Sequence, residues 1–195
     1  MTRRPRLVMF TRFPEPGRAK TRLIPALGAA GAAALHRQMT ERTLATLRAT
    51  AYDVEVWVTG APLSAFTEWL GPVTLRPQGE GDLGARMACA LDPSPAIIVG
   101  SDLPELVPAH VAAAAEILAR DQVALGPAED GGYWLLGLPA PAPFLFDAMA
   151  WGTDAVLAET LRRLGMHGRA YGLLPTLADL DRPEDLDRFP GLLPR

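Results

Sequence analysis

The sequence predicts an α/β fold built on a mostly parallel β-sheet that is covered by helices on both faces. Short runs of aliphatic and β-branched residues alternate with longer stretches of helical periodicity along the 195 residues. Several of the short runs are apolar at every position, which is typical of strands buried on both faces of a parallel sheet. Such sheets bind ligands just beyond the carboxyl ends of their strands, so the residues that follow each strand are the first candidates for function.

Seven segments are predicted to be strands because they are short, apolar and bounded by turn residues. In chain order they are RLVMFT (6–11), VEVWVT (54–59), VTLRP (73–77), AIIVG (96–100), QVALG (122–126), YWLLGL (133–138) and RAYGLLP (169–175). Helical stretches lie between most of them, as parallel strands require for their crossover connections.

Apolar residues spaced at i, i+3 and i+4 predict three longer helices. They span residues 29–50, 108–119 and 154–164. Pro108 is favourable in a first helical turn, and Thr153 is a candidate cap for the third helix. A shorter apolar helix around Cys89 predicts that this lone cysteine is a small core residue rather than a nucleophile.

The composition predicts a single domain over residues 1–195 whose positive charge is local. The net charge is −3, which argues against a broad basic face for nucleic acid. The sequence contains no run of about 18 apolar residues, which is the length that a membrane-spanning helix needs. We therefore expect a soluble cytoplasmic protein with neither nucleic acid nor membrane as a partner. Arg3, Arg4 and Arg6 can be explained as a solvated run of charge.

Positive charge is concentrated after the first strand, in FTRFPEPGRAKTRL (10–23), which holds the only lysine of the chain. A compact ammonium among guanidinium groups suits a polyphosphate. A Walker A loop is excluded because Pro14 and Ala19 stand where that pattern needs glycine. An ordinary basic turn is the alternative. The residues that we predict to bind phosphates here are Arg12, Gly17, Arg18, Lys20 and Arg22.

A second candidate loop, QGEGDLGARM (78–87), contains the spacing GxGxxG. A dinucleotide site is disfavoured because the loop follows the third predicted strand rather than the first. A glycine-rich loop that lets the backbone approach a nucleotide fits better. The residues predicted to contribute are Gly79, Gly81, Asp82, which is also a possible helix cap, and Arg86.

Carboxylates follow two further strands. Asp102 comes directly after a buried strand, where it is well placed to hold Mg²⁺ or Mn²⁺ against phosphate oxygens. The alternative interpretation is that Asp102 is a turn residue ahead of the helix that begins at Pro108. Asp179 and Asp181 follow the last strand, where Asp181 and Glu184 also resemble a capping box.

The segment GPAEDGGYWLLG (126–137) places Asp130 at the mouth of the same predicted cleft. The functional interpretation makes Asp130 a catalytic or substrate-binding carboxylate, whereas Asp-Gly is also a strong hairpin turn signal. Tyr133, Trp151 and Asp154 are the predicted acceptor-binding residues; core packing and helix capping are the alternatives for this group. His36, His110 and His167 form no metal triad and are assigned no role.

Taken together, these motifs resemble the glycosyltransferase-like family related to the nucleotide-diphospho-sugar transferases, some of whose members are labelled arsenosugar biosynthesis glycosyltransferases. The resemblance covers about residues 6–189. It implies a GT-A fold, a Rossmann-like three-layer α/β/α sandwich that binds an activated nucleotide with a divalent metal. Phospholactate guanylyltransferase has a similar Lys-Thr-Arg-Leu stretch. The family usually has lysine at the position of Arg12, and Asp102 lacks the second aspartate of a glycosyltransferase Asp-x-Asp motif.

The resemblance implies a metal-dependent transferase that uses a nucleotide-sugar donor and a small-molecule acceptor. Lys20 and Asp130 would be catalytic, and Mg²⁺ or Mn²⁺ would lie at Asp102, joined by Asp181. A nucleotidylyltransferase that acts on an NTP and releases pyrophosphate is the first alternative. A non-catalytic nucleotide-binding protein is the second. The acceptor, the nucleotide base and the oligomeric state are not determined by the sequence.

Overall fold

A computed structural model describes residues 4–192 of the chain, so that Arg3 lies outside the described residues. Its centre is a seven-stranded sheet whose strands match the seven predicted segments to within a few residues at each end. The strands are β1 (Arg6–Arg12), β2 (Val54–Thr59), β3 (Thr74–Pro77), β4 (Ala96–Val99), β5 (Val123–Pro127), β6 (Tyr133–Leu138) and β7 (Tyr171–Leu173).

Five α-helices connect and cover the strands. They are α1 (Ile24–Arg48), α2 (Leu63–Leu70), α3 (Leu83–Ala90), α4 (Pro108–Ala119) and α5 (Val156–Met166). The prediction for α4 is confirmed at both ends. Helix α1 begins at Ile24, before the predicted start at residue 29. A kink at Gly28, whose φ of 68° is non-helical, separates this additional first turn from the rest of the helix. Helix α2 was not predicted as an element.

The strand order is β3-β2-β1-β4-β6-β5-β7. Strands β3, β2, β1 and β4 run parallel to one another, and β5 runs parallel to β7, whereas β6 lies between β4 and β5 and is antiparallel to both. The chain proceeds outward from β1 to β3 and then returns to place β4 on the other side of β1. The carboxyl ends of β1 and β4 therefore flank the point where the strand order reverses, which is the usual ligand crevice of open α/β sheets.

Side chains alternate between the two faces of the sheet, and each face has its own core. Leu7 and Met9 of β1 pack with residues of α1, α2 and α4 on one face. Val8, between them, packs on the other face with residues of α3 and α5. Successive residues of a strand point to opposite faces, and so this arrangement gives three layers, α/β/α. The predicted mostly parallel α/β sheet is confirmed.

A third, smaller core joins the beginning of the chain to its end. Leu23 and Leu35 pack with Leu180 and with two leucines of the C-terminal 3₁₀ turns. Leu23 and Leu180 are both fully buried. This core brings the segment after β1 into contact with the segment after β7, and it is what positions the candidate site described below.

Two local predictions are wrong. Cys89 is exposed rather than part of the core, because α3 turns Met87 and Ala90 inward and leaves Cys89 on its outer face. Thr153 does not cap α5, which begins only at Val156; its hydroxyl instead donates to the carbonyl of Ala150. Within residues 4–192, no helix has the length and apolar character needed to cross a membrane.

Candidate functional site

Lys20 lies between two aspartates at the crevice beside β1 and β4. Its Nζ donates to Oδ2 of Asp102 at 2.5 Å and to Oδ1 of Asp181 at 3.2 Å. The Lys20 side chain is only 5% exposed, whereas both aspartates are 32% exposed. The ammonium is thus enclosed, and the two carboxylates that surround it keep a face toward solvent.

The fold explains why residues so distant in sequence meet here. Asp102 follows β4, which pairs in parallel with β1, so the segment after β1 and the segment after β4 leave the sheet side by side. Leu23, three residues beyond Lys20, and Leu180, one residue before Asp181, share the third core. Lys20 itself has a left-handed backbone with φ 48° and ψ 47°, which turns the chain into the short 3₁₀ helix before α1.

Asp181 is fixed by a second layer of contacts. Its Oδ2 accepts a 2.6 Å hydrogen bond from Arg22, which is exposed. The following 3₁₀ turn (Pro183–Arg188) has Arg182 at its N-cap position, and Asp185 in its first turn completes a capping box, because its carboxylate accepts from the backbone N–H groups of Asp181 and Arg182. The predicted capping box between Asp181 and Glu184 is therefore wrong, because Asp185 takes that role and leaves the Asp181 carboxylate for Lys20 and Arg22.

The charges of this group determine its protonation. Burial alone would lower the pKa of Lys20, but the carboxylates of Asp102 and Asp181 outweigh it and the pKa is raised. Burial alone would raise the pKa of Asp181, but Lys20 and Arg22 lower it below its usual value. Lys20 is therefore a cation and Asp181 an anion at neutral pH.

Buried polar side chains hold the loops of the site against the sheet. The ring Nε2 of His36 donates to the carbonyl of Arg12 at 3.0 Å, and Thr43 Oγ1 donates to the carbonyl of Ser101 at 3.2 Å. Gln78 Nε2 donates to the carbonyls of Thr11 and Trp57, each at 3.0 Å. Burial lowers the pKa of His36, which keeps its ring neutral. The sequence pattern indicates no role for His36, whereas in the structure its ring holds the end of β1 in place.

Two adjoining cavities open beside the Lys20 group. The first, of about 220 Å³, is bordered by apolar side chains that include Leu83, Met87 and Trp151, together with Asp102, Asp130 and Asp179. The second, of about 320 Å³, is polar and is bordered by Arg22, Glu129, Asp130, Asp179, Asp181, Arg182 and Asp185. Asp130 and Asp179 border both cavities and so mark their junction.

The two junction carboxylates differ in how they are held. Asp130 Oδ1 accepts from the backbone N–H of Gly132 at 2.9 Å, which orients the carboxylate. Burial, together with the negative charges of Asp130 and Asp102, raises the pKa of Asp179 to about 6. The sequence placed Asp179 after the last strand without assigning it to the site. Its position two residues before Asp181 is the feature of the sequence that could have indicated a role in the site.

The segment that carries Asp130 is both a turn and a wall of the site. It connects the antiparallel strands β5 and β6, as the Asp-Gly turn signal indicated. Gly131 has φ +87°, and a Cβ there would collide with the backbone of Asp154. The carbonyl of Gly131 also accepts from the N–H of Leu157 at the start of α5. Glycine at this position lets the turn pack directly against α5.

The predicted phosphate-binding residues lie at the same edge of the sheet, but not all of them reach the cavities. Arg12 and Arg18 are exposed, and Arg18 pairs with Glu15 at 3.4 Å. Gly17 has φ +82° in the turn before Lys20. Only Lys20 and Arg22 of this set contact the aspartates of the site.

In the glycine-rich loop, Gly79 and Gly81 have positive φ angles of 77° and 92°. Asp82 caps α3, accepting from the N–H of Ala85 at 2.8 Å, as predicted from its position. The Nε of Arg86 donates to the carbonyl of Gly81 at 3.0 Å and so braces this loop.

Two of the three predicted acceptor residues border the apolar cavity. Tyr133 and Trp151 line it, with ring centroids 6.4 Å apart and planes at 89°. Burial raises the pKa of the Tyr133 hydroxyl. Asp154 is exposed and is not among the lining residues; its backbone packs against Gly131 instead.

A larger cavity, of about 650 Å³, lies elsewhere. It is bordered by Arg4, Pro95, Asp121 and Pro139, which stand at the opposite edge of the sheet from Lys20. Ligands of α/β sheets bind at the carboxyl edge of the parallel strands, so we place the functional site at the Lys20 group despite the smaller cavities there.

Comparisons with known proteins identify the family and the fold of the chain. A family model described as an uncharacterized protein conserved in bacteria, DUF2064, matches residues 43–153. The chain belongs to the DUF2064 family. The matched residues contain Asp102, Asp130 and Trp151, while Lys20 and Asp181 lie outside them. No curated protein matches the sequence.

A solved structure relates this DUF2064 member to the nucleotide-diphospho-sugar transferases. A "putative nucleotide-diphospho-sugar transferase" from Desulfovibrio desulfuricans G20 is similar at 27% identity with a TM-score of 0.87, covering 97% of this chain and 96% of that one. The 2-C-methyl-D-erythritol 4-phosphate cytidylyltransferase of Thermus thermophilus shares the fold at 19% identity, with a TM-score of 0.53 and coverage of 97% and 98%. The expected relationship to the nucleotide-diphospho-sugar transferases is confirmed.

Proposed function

We propose that this chain is a metal-dependent transferase that moves a sugar from a nucleotide-diphospho-sugar donor to a small-molecule acceptor. The observation that carries the proposal is the enclosed ammonium of Lys20 between Asp102 and Asp181, at the point where the strand order reverses. The similarity to the Desulfovibrio protein supports the donor class, since that protein is described as a nucleotide-diphospho-sugar transferase.

The residues present suit a divalent cation. Asp102 and Asp181 converge on one positive charge and are partly open to solvent. Within residues 4–192, no group of three or more histidine, cysteine or acidic side chains forms a complete metal site. Two carboxylates are nevertheless sufficient for Mg²⁺ or Mn²⁺, because such ions commonly take their remaining ligands from substrate phosphates and water. When bound, the cation would supply charge neutralisation for the departing diphosphate.

Side chains of the protein at the two cavities would bind the donor and the acceptor and would accept the proton. Arg22 at the polar cavity would bind the diphosphate, assisted by the exposed Arg12 and Arg18. The acceptor oxygen would form a bond to the anomeric carbon while that carbon's bond to the diphosphate breaks. The electron pair would leave with the nucleoside diphosphate, and the proton of the acceptor hydroxyl would pass to Asp130. Lys20 would hold Asp102 and Asp181 in place and counter their charge.

Nucleotidyl transfer is the second candidate, and one feature of the site favours it. The two carboxylates that meet at Lys20 come from separate segments, after β4 and after β7, and not from one Asp-x-Asp motif. In this reaction an acceptor oxygen would bond to the α-phosphorus of an NTP and pyrophosphate would leave. The fold shared with a cytidylyltransferase is compatible with either reaction.

Two assays on the purified protein separate the candidates. With Mg²⁺ or Mn²⁺, release of nucleoside diphosphate from a panel of nucleotide sugars supports sugar transfer. Release of pyrophosphate from a panel of NTPs supports nucleotidyl transfer and overturns the first proposal. Binding of UDP or GDP with turnover of neither panel would instead indicate a non-catalytic nucleotide-binding protein.

A matched pair of variants tests the site itself. Asp102→Asn keeps the shape of the side chain and removes its charge, so we expect turnover to fall by at least about a hundredfold, as is typical when transition-state charge stabilisation is lost. Asp121→Asn changes an exposed aspartate at the opposite edge of the sheet and should leave turnover unchanged. Equal activity of the two variants would overturn the assignment of Asp102.

A further inference from the structure

The two cavities at the site differ in the charge of their walls. Arg22 and Arg182 border the polar cavity together with its acids. The charged residues that border the apolar cavity are Asp102, Asp130 and Asp179, and the described part of the chain contributes no lysine, arginine or histidine to its lining. A ligand in the polar cavity meets both signs of charge, whereas the charged side chains that line the apolar cavity are carboxylates, of which Asp102 is paired with Lys20, and Asp130 and Asp179 are not.

From this difference we infer that the apolar cavity takes a neutral or positively charged acceptor, such as an alcohol or amine with an apolar ring or chain, and that it rejects phosphate- or carboxylate-bearing acceptors. The inference rests on the proposed transferase function, since it assigns the apolar cavity to the acceptor. It goes beyond that proposal by naming the chemical class that the acceptor must have.

The walls of the apolar cavity favour an apolar body. Its aromatic residues are Tyr133, Trp134 and Trp151, and its aliphatic side chains include Leu83 and Met87. Trp151 is held close to α3 because Gly84 has no side chain; a Cβ there would lie 2.7 Å from the indole nitrogen. A volume of about 220 Å³ accommodates one ring with a short substituent and is smaller than most sites for drug-sized ligands.

The carboxylates at the cavity determine which polar group the apolar acceptor can carry. Asp130 and Asp179 stand at the junction with the polar cavity, where the reacting end of the acceptor must lie. An amine or hydroxyl can donate to these oxygens. A carboxylate or phosphate there has no hydrogen to donate when ionised, and it would also meet like charges in a partly desolvated place.

A matched series of phenyl compounds tests the inference by binding alone. The probes are 3-phenylpropylamine, 3-phenylpropan-1-ol and 3-phenylpropionate, which share a ring and a chain and differ in charge. Indole N–H signals in ¹H–¹⁵N NMR titrations locate the binding, since Trp134 and Trp151 border the cavity while Trp57 and Trp69 lie elsewhere. We expect the amine and the alcohol to shift the signals of Trp134 and Trp151, with affinities at least about tenfold above that of the carboxylate.

Two leucine variants confirm the location. Leu83 is 45% exposed at the rim of the cavity, so Leu83→Trp should fill the opening and abolish the shifts without disturbing a buried side chain. Leu63, 41% exposed at the start of α2, provides the matched control, and Leu63→Trp should leave binding unchanged.

Three results would overturn the inference: no probe binds the wild-type protein, the carboxylate binds as tightly as the amine, or Leu83→Trp binds the probes as the wild type does. None of these measurements requires a donor. Failure of every donor in the turnover assay would therefore overturn the proposed function while leaving the binding preference of the cavity established by the probes.

Discussion

The ammonium of Lys20 lies 2.5 Å from Oδ2 of Asp102, across 82 residues of sequence, and it also reaches Oδ1 of Asp181. The sequence had suggested that Lys20 faces the phosphates of a ligand. In the structure its charge is taken up by two carboxylates and its side chain is almost fully buried. Contact between Lys20 and phosphate stays a prediction, whereas its role in holding the carboxylates together is a structural finding.

Lys20→Met should destabilise the protein strongly. Removal of the ammonium leaves Asp102 and Asp181 close together without their shared buried cation, and breaking such a buried pair costs about 3–5 kcal/mol of unfolding free energy. Urea unfolding measures the loss. Arg18→Met, at an exposed neighbouring position, should change stability by less than about 0.5 kcal/mol.

The same variant reports on the proposed cation. In Lys20→Met, Mn²⁺ would replace the missing positive charge, so millimolar Mn²⁺ should raise the melting temperature of this variant by more than that of the wild type. If Mn²⁺ changed the melting temperature of neither protein, the assignment of Asp102 and Asp181 as metal ligands would be contradicted.

Asp185 should act as a positioning residue for Asp181. Asp185→Ala removes the carboxylate that accepts from the N–H groups of Asp181 and Arg182, and loss of such a cap costs about 1 kcal/mol. We expect Mn²⁺ affinity, measured by calorimetry, to fall together with stability. Asp185→Asn can still cap and should restore both; failure of asparagine to do so would indicate that the charge of Asp185 matters on its own.

Gly131→Ala should disturb the wall of the site that carries Asp130. The added Cβ would collide with the carbonyl of Asp154, and the positive φ angle is itself unfavourable for alanine, so we expect a loss of about 2–4 kcal/mol. Thermal unfolding measures it. Gly165→Ala is the matched control, because its Cβ would meet no atom within 4 Å inside α5; it should stabilise the protein by about 0.5–1 kcal/mol.

Stability at acid pH should depend on Glu55, whose carboxylate accepts hydrogen bonds from Arg6, Trp57 and Arg76. Hydrogen bonding by Arg6 is the largest cause that lowers the pKa of Glu55, which falls to about 2. A carboxylate whose folded pKa is depressed stabilises the fold above its unfolded pKa of 4.5, and this contribution is lost as the pH falls toward 2.

The measurement is urea unfolding of wild type and Glu55→Gln at pH 7 and at pH 3. We expect the variant to be less stable by about 1–2 kcal/mol at pH 7 and the difference to shrink at pH 3. Glu68→Gln, at an exposed position on α2, serves as the control and should match the wild type at both values. A difference for Glu55→Gln that is constant with pH would contradict the ion-pair explanation.

Local pattern was sufficient for the strands and for helix α4. The central strands β4, β5 and β6 are buried at nearly every position because both faces of the sheet are covered, and Pro108 marks the first turn of α4. The sequence pattern wrongly predicted that Thr153 caps a helix and that Cys89 is buried. A cap and a burial state depend on where the neighbouring segment packs, and that information is not contained in a short window of sequence.

For the site, the order of strands and polar residues along the chain was enough to show which residues follow strands, and therefore that Lys20, Asp102, Asp130 and Asp181 share one edge of the sheet. Long-range packing was needed to show that Lys20 is enclosed by Asp102 and Asp181, that Asp179 joins them, and that Asp154 does not line the cavity. The physical reason is that these contacts depend on side-by-side packing of segments from opposite ends of the chain. The buried leucines of the third core, rather than any local motif, fix that packing.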